Sequence, residues 1–334
     1  MSRSGLLTPS RRRFLTTAAA GVGALALPGL AGKAAAASGR TTDTLRLTWG
    51  YFGLTYLAHE RGELEKRLAK DGIKVEWVGP FPNHAPTMQA VTGGTADFAF
   101  GGSTTPALAA IIAGSPLVFT QFFIYQPRTT AIIAKRSSGI KTVPDLVGKS
   151  VAVNRSGLGE FLVVAALEQH GIDRSKVNFV YLNPPDAAPA LAAGKVDAWS
   201  MWSPGVDIAR VEYDAVDIFY EERDLPFQID FNTYLTRKDF VEQNPDLVRA
   251  FNAAIVAEAE WANANNVEAE EIAFKGLKYS EAVRDHFISL KRKYTPYAVD
   301  DAGFLGKLQN AANWLTERKV LPEQVTVTDF IAKV

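Results

Sequence analysis

T-G-G-T-A-D-F (Thr92–Phe98) returns about a hundred residues later as A-A-G-K-V-D-A (Ala192–Ala198), with Asp97 and Asp197 in equivalent places. Each stretch closes the same run of local signals. Before the first come an apolar strand L-R-L-T-W-G (Leu45–Gly50), a helix over 56–70, a strand I-K-V-E-W-V (Ile73–Val78), the Pro-rich F-P-N-H-A-P and a helix over 87–92. Before the second come S-V-A-V-N (Ser150–Asn154), a helix over 159–170, V-N-F-V-Y-L (Val177–Leu182), N-P-P-D-A-A-P and a helix over 188–193. A third strand follows in each case, Ala96–Phe100 and Val196–Trp202, then a Pro-containing loop and another helix. Strands alternating with helices point to parallel βαβ units. Their recurrence points to an α/β chain with two lobes on one plan, each a mostly parallel sheet flanked by helices.

Two extended stretches, Leu117–Ala134 and Gln228–Thr236, are long enough to cross between the lobes. The predicted division is 43–127 plus 233–334 for the first lobe and 128–232 for the second. Beyond the second crossing the chain reads as mostly helical. Asn244-Pro245-Asp246 starts a helix whose Leu247, Val248, Phe251, Ile255 and Trp261 fall at helical spacing, and this tail is expected to pack on the first lobe. Two lobes, two crossings and a cleft between them describe a hinge-closing binding protein.

Bulk composition narrows the function. The 334 residues are 47% hydrophobic and 22% charged, ordinary for a soluble globular protein, and none is cysteine. That excludes thiol catalysis, cysteine-ligated metals and disulfides. At the N-terminus, S-R-R-R-F-L (Ser10–Leu15) precedes an apolar run, Ala18–Leu30, and then small residues around Ala36 and Ala37. This is the order of a cleaved export signal, 1–37, and the Arg11-Arg12 pair followed by Phe14-Leu15 resembles a twin-arginine signal. The apolar run is shorter than the roughly 20 residues a membrane span needs. Residues 1–37 hold five bases and no acids, so the mature chain carries 31 bases against 36 acids, which argues against nucleic acid as a partner.

In an open α/β sheet, ligands gather beyond the carboxyl ends of the strands. Four loops stand there: Tyr51–Thr55, Gly101–Thr105, Asn154–Glu160 and Ser203–Gly205. Ser103 and Thr104 start a helix with Pro106 in its first turn, and Ser156 and Gly157 start another. Each of these reads either as a helix cap alone or as backbone N–H groups offered to a small anion. The dinucleotide pattern G-x-G-x-x-G fails after Gly157 and Gly159, and no G-K-[ST] occurs. Trp199 reads as core and Trp202, at its strand's exit, as a cleft wall. Asn232 on the second crossing is placed to hydrogen-bond a ligand, and Arg128 and Arg155 to supply positive charge or to stand solvated. His59, His84, His170 and His286 are scattered without metal-ligand spacing, no G-x-S-x-G elbow appears, and the acid pairs Glu221-Glu222 and Glu270-Glu271 read as solvated faces.

Several stretches together resemble the periplasmic solute-binding proteins of ABC importers for aliphatic sulfonates, taurine and nitrate. They are A-H-E-R-G-E-L-E-K-R-L (Ala58–Leu68), A-D-F-A-F-G-G (Ala96–Gly102), I-K-T-V-P-D-L-V-G-K-S-V-A-V-N (Ile140–Asn154), A-L-E-Q-H-G-I (Ala166–Ile172) and V-D-A-W-S-M-W-S-P (Val196–Pro204). The resemblance covers roughly 44 to 320. It implies a type II periplasmic-binding fold, a small organic anion of the sulfonate class held between the lobes, and delivery to a membrane permease and its ATPase; no cofactor or metal is expected, and the chain is expected to be a monomer. Its binding loops fall on Tyr51, Phe52, Gly53, Leu54, Thr55, Ser103, Thr104, Ser156, Gly157 and Trp202. Where such proteins read G-S-N-x-H this chain has S-G-L-G-E, which places Glu160 among the candidates, and W-D-P is W-S-P here. The expected mechanism is capture without chemistry, with helix starts at Ser103–Thr105 and Ser156–Gly159 facing the solute's negative end. The competing readings are a sensory binding protein and an enzyme on the same fold; the enzymes among the relatives by resemblance use cysteine-containing sites, which this chain lacks.

Overall fold

The computed structural model describes residues 40–51, 53–155, 157–277 and 279–334. The predicted export signal, Phe52 and Ser156 lie outside them. Along the chain the strands are β1 (Thr44–Gly50), β2 (Lys74–Phe81), β3 (Ala99–Ser103), β4 (Leu117–Gln126), β5 (Ala131–Lys135), β6 (Ser150–Val153), β7 (Asn178–Tyr181), β8 (Ala198–Met201), β9 (Ala215–Tyr220), β10 (Asn232–Arg237) and β11 (Lys293–Tyr297). β1 pairs with β2 in parallel, and a parallel bridge from Leu47 to Phe98 joins β1 to the approach of β3. A second sheet runs β11-β4-β10-β3 and a third runs β7-β6-β8-β5-β9. Within the third, β6 is parallel to β7 and β8, and β5 and β9 are antiparallel additions.

The internal repeat has a physical basis in its aspartates. Asp97 accepts from the backbone N–H of Arg46 at 2.8 Å and returns its own N–H to the Arg46 carbonyl at 2.7 Å. Asp197 does the same with Ser150, at 2.7 and 3.0 Å. In both halves the carboxylate therefore locks the entry of the third strand to the first residues of the opening strand. Buried backbone N–H groups need such partners, and an Asp in the G-x-x-D turn supplies one.

Three local expectations change. The helix expected over 56–70 is two, Leu54–Arg61 and Glu63–Ala69, because Gly62 takes a left-handed φ of 64° between them. The third strand starts at Ala99 instead of Ala96, since Asp97 and Phe98 are engaged by β1. The first crossing is two strands, β4 and β5, separated by Pro127–Thr130, and β4 is buried from Leu117 through Phe123.

Helix Pro245–Ala264 packs Leu247, Val248, Phe251 and Ile255 against Leu45, Leu47 and Phe98. The later helices reach further. In helix Ala302–Glu317, Phe304 stacks on Phe122 with ring centroids 4.6 Å apart, and Trp314 meets Phe161 edge-on at 5.9 Å. Arg318 then pairs with Glu168. The tail thus touches both the second and the third sheets' surroundings, which helical periodicity alone does not reveal. No helix among the described residues is long and apolar enough to cross a membrane.

Candidate functional site

A cleft of about 420 Å³ opens where the strand ends of the two halves meet. That is within the usual range for small-molecule sites. Six strand-end loops reach it: Gly53 after β1, Asn83–Ala85 after β2, Gly101–Ser103 and Pro106 at β3, Asn154, Arg155 and Leu158 after β6, Tyr181–Asn183 at β7, and Trp202–Pro204 after β8. The two segments predicted to cross contribute as well, through Tyr125–Thr130 and through Gln228, Asp230, Phe231 and Asn232, and β11 adds Lys293 and Tyr294 beside Arg292.

Of the residues singled out from sequence, Gly53, Ser103, Arg128, Arg155, Trp202 and Asn232 line this cleft. Gly157 starts helix Leu158–Gln169 behind Asn154, whose Oδ1 accepts from the Gly159 N–H at 3.1 Å. Tyr51 is 46% exposed and outside the lining. Leu54 is buried in the core beside β1. Thr55 is buried too, its hydroxyl 3.2 Å from Tyr234 Oη. Phe52 and Ser156 are not among the described residues.

The helix start at Ser103–Thr105 does not face a solute with free donors. Asp230, from the second crossing, occupies it. Its Oδ1 accepts from Ser103 Oγ at 2.6 Å, Thr104 Oγ1 at 3.1 Å, Thr105 N at 3.0 Å and Thr105 Oγ1 at 2.8 Å. Pro106 has no N–H to give. A carboxylate of the chain itself thus sits where the sequence reading placed an external anion, and Thr104 is wholly buried beneath it. Burial pushes the Asp230 carboxyl up, and the four donors offset only part of that rise.

Glu160 is likewise buried and turned inward. It pairs with Arg174 and accepts from Tyr181 Oη at 3.0 Å. Arg155 then lies over the Tyr181 ring, 3.7 Å from its centroid. Glu160 therefore steadies the platform that carries Arg155, and it is not itself among the lining residues. Arg128 lines the cleft with its donors taken: Nε by Glu222 at 3.0 Å, Nη1 by the Phe227 carbonyl at 2.7 Å and Nη2 by the Leu225 carbonyl at 3.0 Å. Glu221, 3% exposed, stands 3.8 Å from Arg128 Nη1, and burial pushes its carboxyl up to about 7. That corrects the reading of Glu221 as a solvated face.

The cations left over are Arg155 and Lys293. Both line the cleft, both are exposed, and neither joins an ion pair among the described residues. Arg292 differs: it bridges Ser203 Oγ at 2.7 Å and Glu270 at 3.5 Å, so the W-S-P loop after β8 is tied to the segment that enters β11.

His84, like Lys293, is a lining residue that sequence reasoning passed over. Its Nδ1 is 3.1 Å from the Ser103 carbonyl and its ring stacks near Phe100, centroids 5.7 Å apart. Burial pushes it down to about 4, so the ring is neutral. Its close packing depends on the glycine at 102, where a Cβ would lie 2.4 Å from His84 Cγ.

A protein of Escherichia coli named an aliphatic sulfonates-binding protein is 27% identical over 311 residues, spanning 92% of this chain and 95% of its own length. The alkanesulfonate-binding protein SsuA of Xanthomonas axonopodis, solved with MOPS bound, superposes with a TM-score of 0.79 at 21% identity, over 87% of this chain and 98% of that one. The desulfurization enzyme DszB shares the fold more distantly, with a TM-score of 0.63 at 17% identity over 87% and 96%. The architecture is the periplasmic-binding-protein fold, α/β with its ligand cleft at the strand ends. The profile of the family described as NMT1/THI5 like matches residues 50–269, and the chain belongs to that family.

Proposed function

We propose that this chain is the periplasmic solute-binding component of an ABC importer. It captures a small organic anion of the sulfonate class without chemistry and hands it to a membrane permease served by an ATPase. The export signal at 1–37, with its Arg11-Arg12 pair, would carry it out by the twin-arginine route. In this reading the first lobe is 43–127 plus 233–334 and the second is 128–232, hinged at the two crossings.

The observation that carries the reading is the charge arrangement in the cleft. Arg155, stacked on Tyr181, and Lys293 join no ion pair among the described residues and line, with Trp202 and Tyr294, a space of about 420 Å³. An anionic head meets the cations and an apolar body meets the rings. Closure favours the liganded form only through contacts made by both sides, and Arg155 and Lys293 come from opposite halves.

The test is calorimetry on the chain, refolded once to strip carried-over solute, with alkyl and aryl sulfonates, taurine, nitrate and sulfate. Sulfonates should bind, and Arg155→Met should weaken them by about 10–100-fold, the worth of one charge-assisted hydrogen bond. Binding that survives Arg155→Met unchanged would remove the anion from this end of the cleft. No binding across the set would refute the reading.

A further inference from the structure

We propose that the cleft reads a second group on its solute, a hydrogen-bond donor such as a hydroxyl, an amine or a ring N–H, and that Nε2 of His84 accepts from it. The inference rests on the proposed function and specifies the solute further.

The argument begins with the tautomer. Nδ1 of His84 is 3.1 Å from the Ser103 carbonyl, and a carbonyl only accepts, so Nδ1 carries the proton. The ring is neutral, because burial with no compensating carboxylate disfavours the charged form. Nε2 is then a bare lone pair. It is buried, and among the described residues no donor reaches it. Buried acceptors normally have partners, and one left unpartnered on a residue that lines a cleft calls for a donor.

The ring cannot readily turn away to solve this. Phe100 stacks on it, Ser103 holds Nδ1, and the space it fills exists because residue 102 has no Cβ. A second acceptor in the cleft is in the same condition. Oδ1 of Asn232, on the second crossing over Gly101, is buried and unpartnered among the described residues. Two acceptors without donors are a poor match to a bare inorganic anion, whose oxygens are acceptors too. They match a molecule that presents an anionic head to Arg155 and Lys293 and a donor to His84.

Matched pairs of sulfonates test this: ethanesulfonate against 2-hydroxyethanesulfonate, and benzenesulfonate against its 4-hydroxy and 4-amino derivatives. With the wild-type chain, the donor-bearing member of a pair should bind about tenfold tighter or more, because a site built to pair a donor rejects the analogue lacking it. In His84→Phe that ratio should fall to about one. Should His84→Phe not fold, the ¹⁵N resonance of Nε2 in the wild-type chain gives the same reading, moving only when the donor-bearing member binds. Equal affinities within every pair would overturn the assignment while leaving sulfonate binding intact. Equal weakening of both members by His84→Phe would overturn it too, since the ring would then serve the anion. Failure of every sulfonate to bind would overturn the proposed function and this assignment with it.

Discussion

Replacing Glu221 with glutamine should change how stability depends on pH. In the folded chain the Glu221 carboxyl is 3% exposed and burial raises it from its ordinary 4.5 to about 7. The groups around it are Arg128, Thr130, Asp230 and Glu222; Arg128 and Thr130 favour the charged form, and the two acids oppose it. The unfolded chain releases this proton near 4.5 and the folded chain holds it until about 7. Between those values the folded state binds more protons, so stability falls as pH rises. Below 4.5 the term is absent and above 7 it is complete. At about 1.36 kcal/mol per pH unit, the gap amounts to about 3 kcal/mol. Glutamine keeps the shape and does not titrate. Urea unfolding of both proteins from pH 4 to pH 8 measures the difference directly. Glu221→Gln should gain about 3 kcal/mol on the wild type across that window. Parallel profiles would refute the claim that desolvation governs this carboxyl. The same physics couples to binding: an anion in the cleft favours protonated Glu221, so calorimetry near pH 7 in buffers of different ionisation enthalpy should show proton uptake.

Two further substitutions probe other links in the argument. Gly102→Ala should displace the His84 ring, whose Cγ would lie 2.4 Å from the new Cβ; stability should drop by about 1–3 kcal/mol in thermal unfolding and solute affinity should fall, whereas an unchanged melting point would mean the loop yields freely. Asp197→Ala strands the Ser150 N–H and should cost about 1–3 kcal/mol in urea unfolding, with Asp97→Ala costing a comparable amount by releasing Arg46; a neutral result at either site would show the repeated aspartate to be dispensable.

Apart from β9 and β11, which the sequence reading did not mark, the order of strands and helices, the internal repeat and the strand-end position of the cleft were legible in the sequence. They are local or periodic properties. An apolar run between turn residues is a strand wherever it lies, and G-x-x-D recurs because each half needs a carboxylate to close the same backbone exchange, Asp97 with Arg46 and Asp197 with Ser150. What each candidate residue does in the cleft was not legible, because it depends on partners far along the chain. Ser103 and Thr105 have the sequence of an open helix start, but Asp230, more than a hundred residues later, fills it. Glu160 has the position of a ligand contact, but Arg174 and Tyr181 turn it inward. Glu221 and its neighbour Glu222 look alike in sequence, but one is buried against Arg128 and the other exposed. His84 showed no pattern at all, because its neighbours Phe100, Gly102 and Ser103 come from another strand. The sequence determined which backbone groups could form the cleft. Only tertiary packing decided which donors and charges remained unpaired, since each pairing joins residues that the chain brings together only when folded.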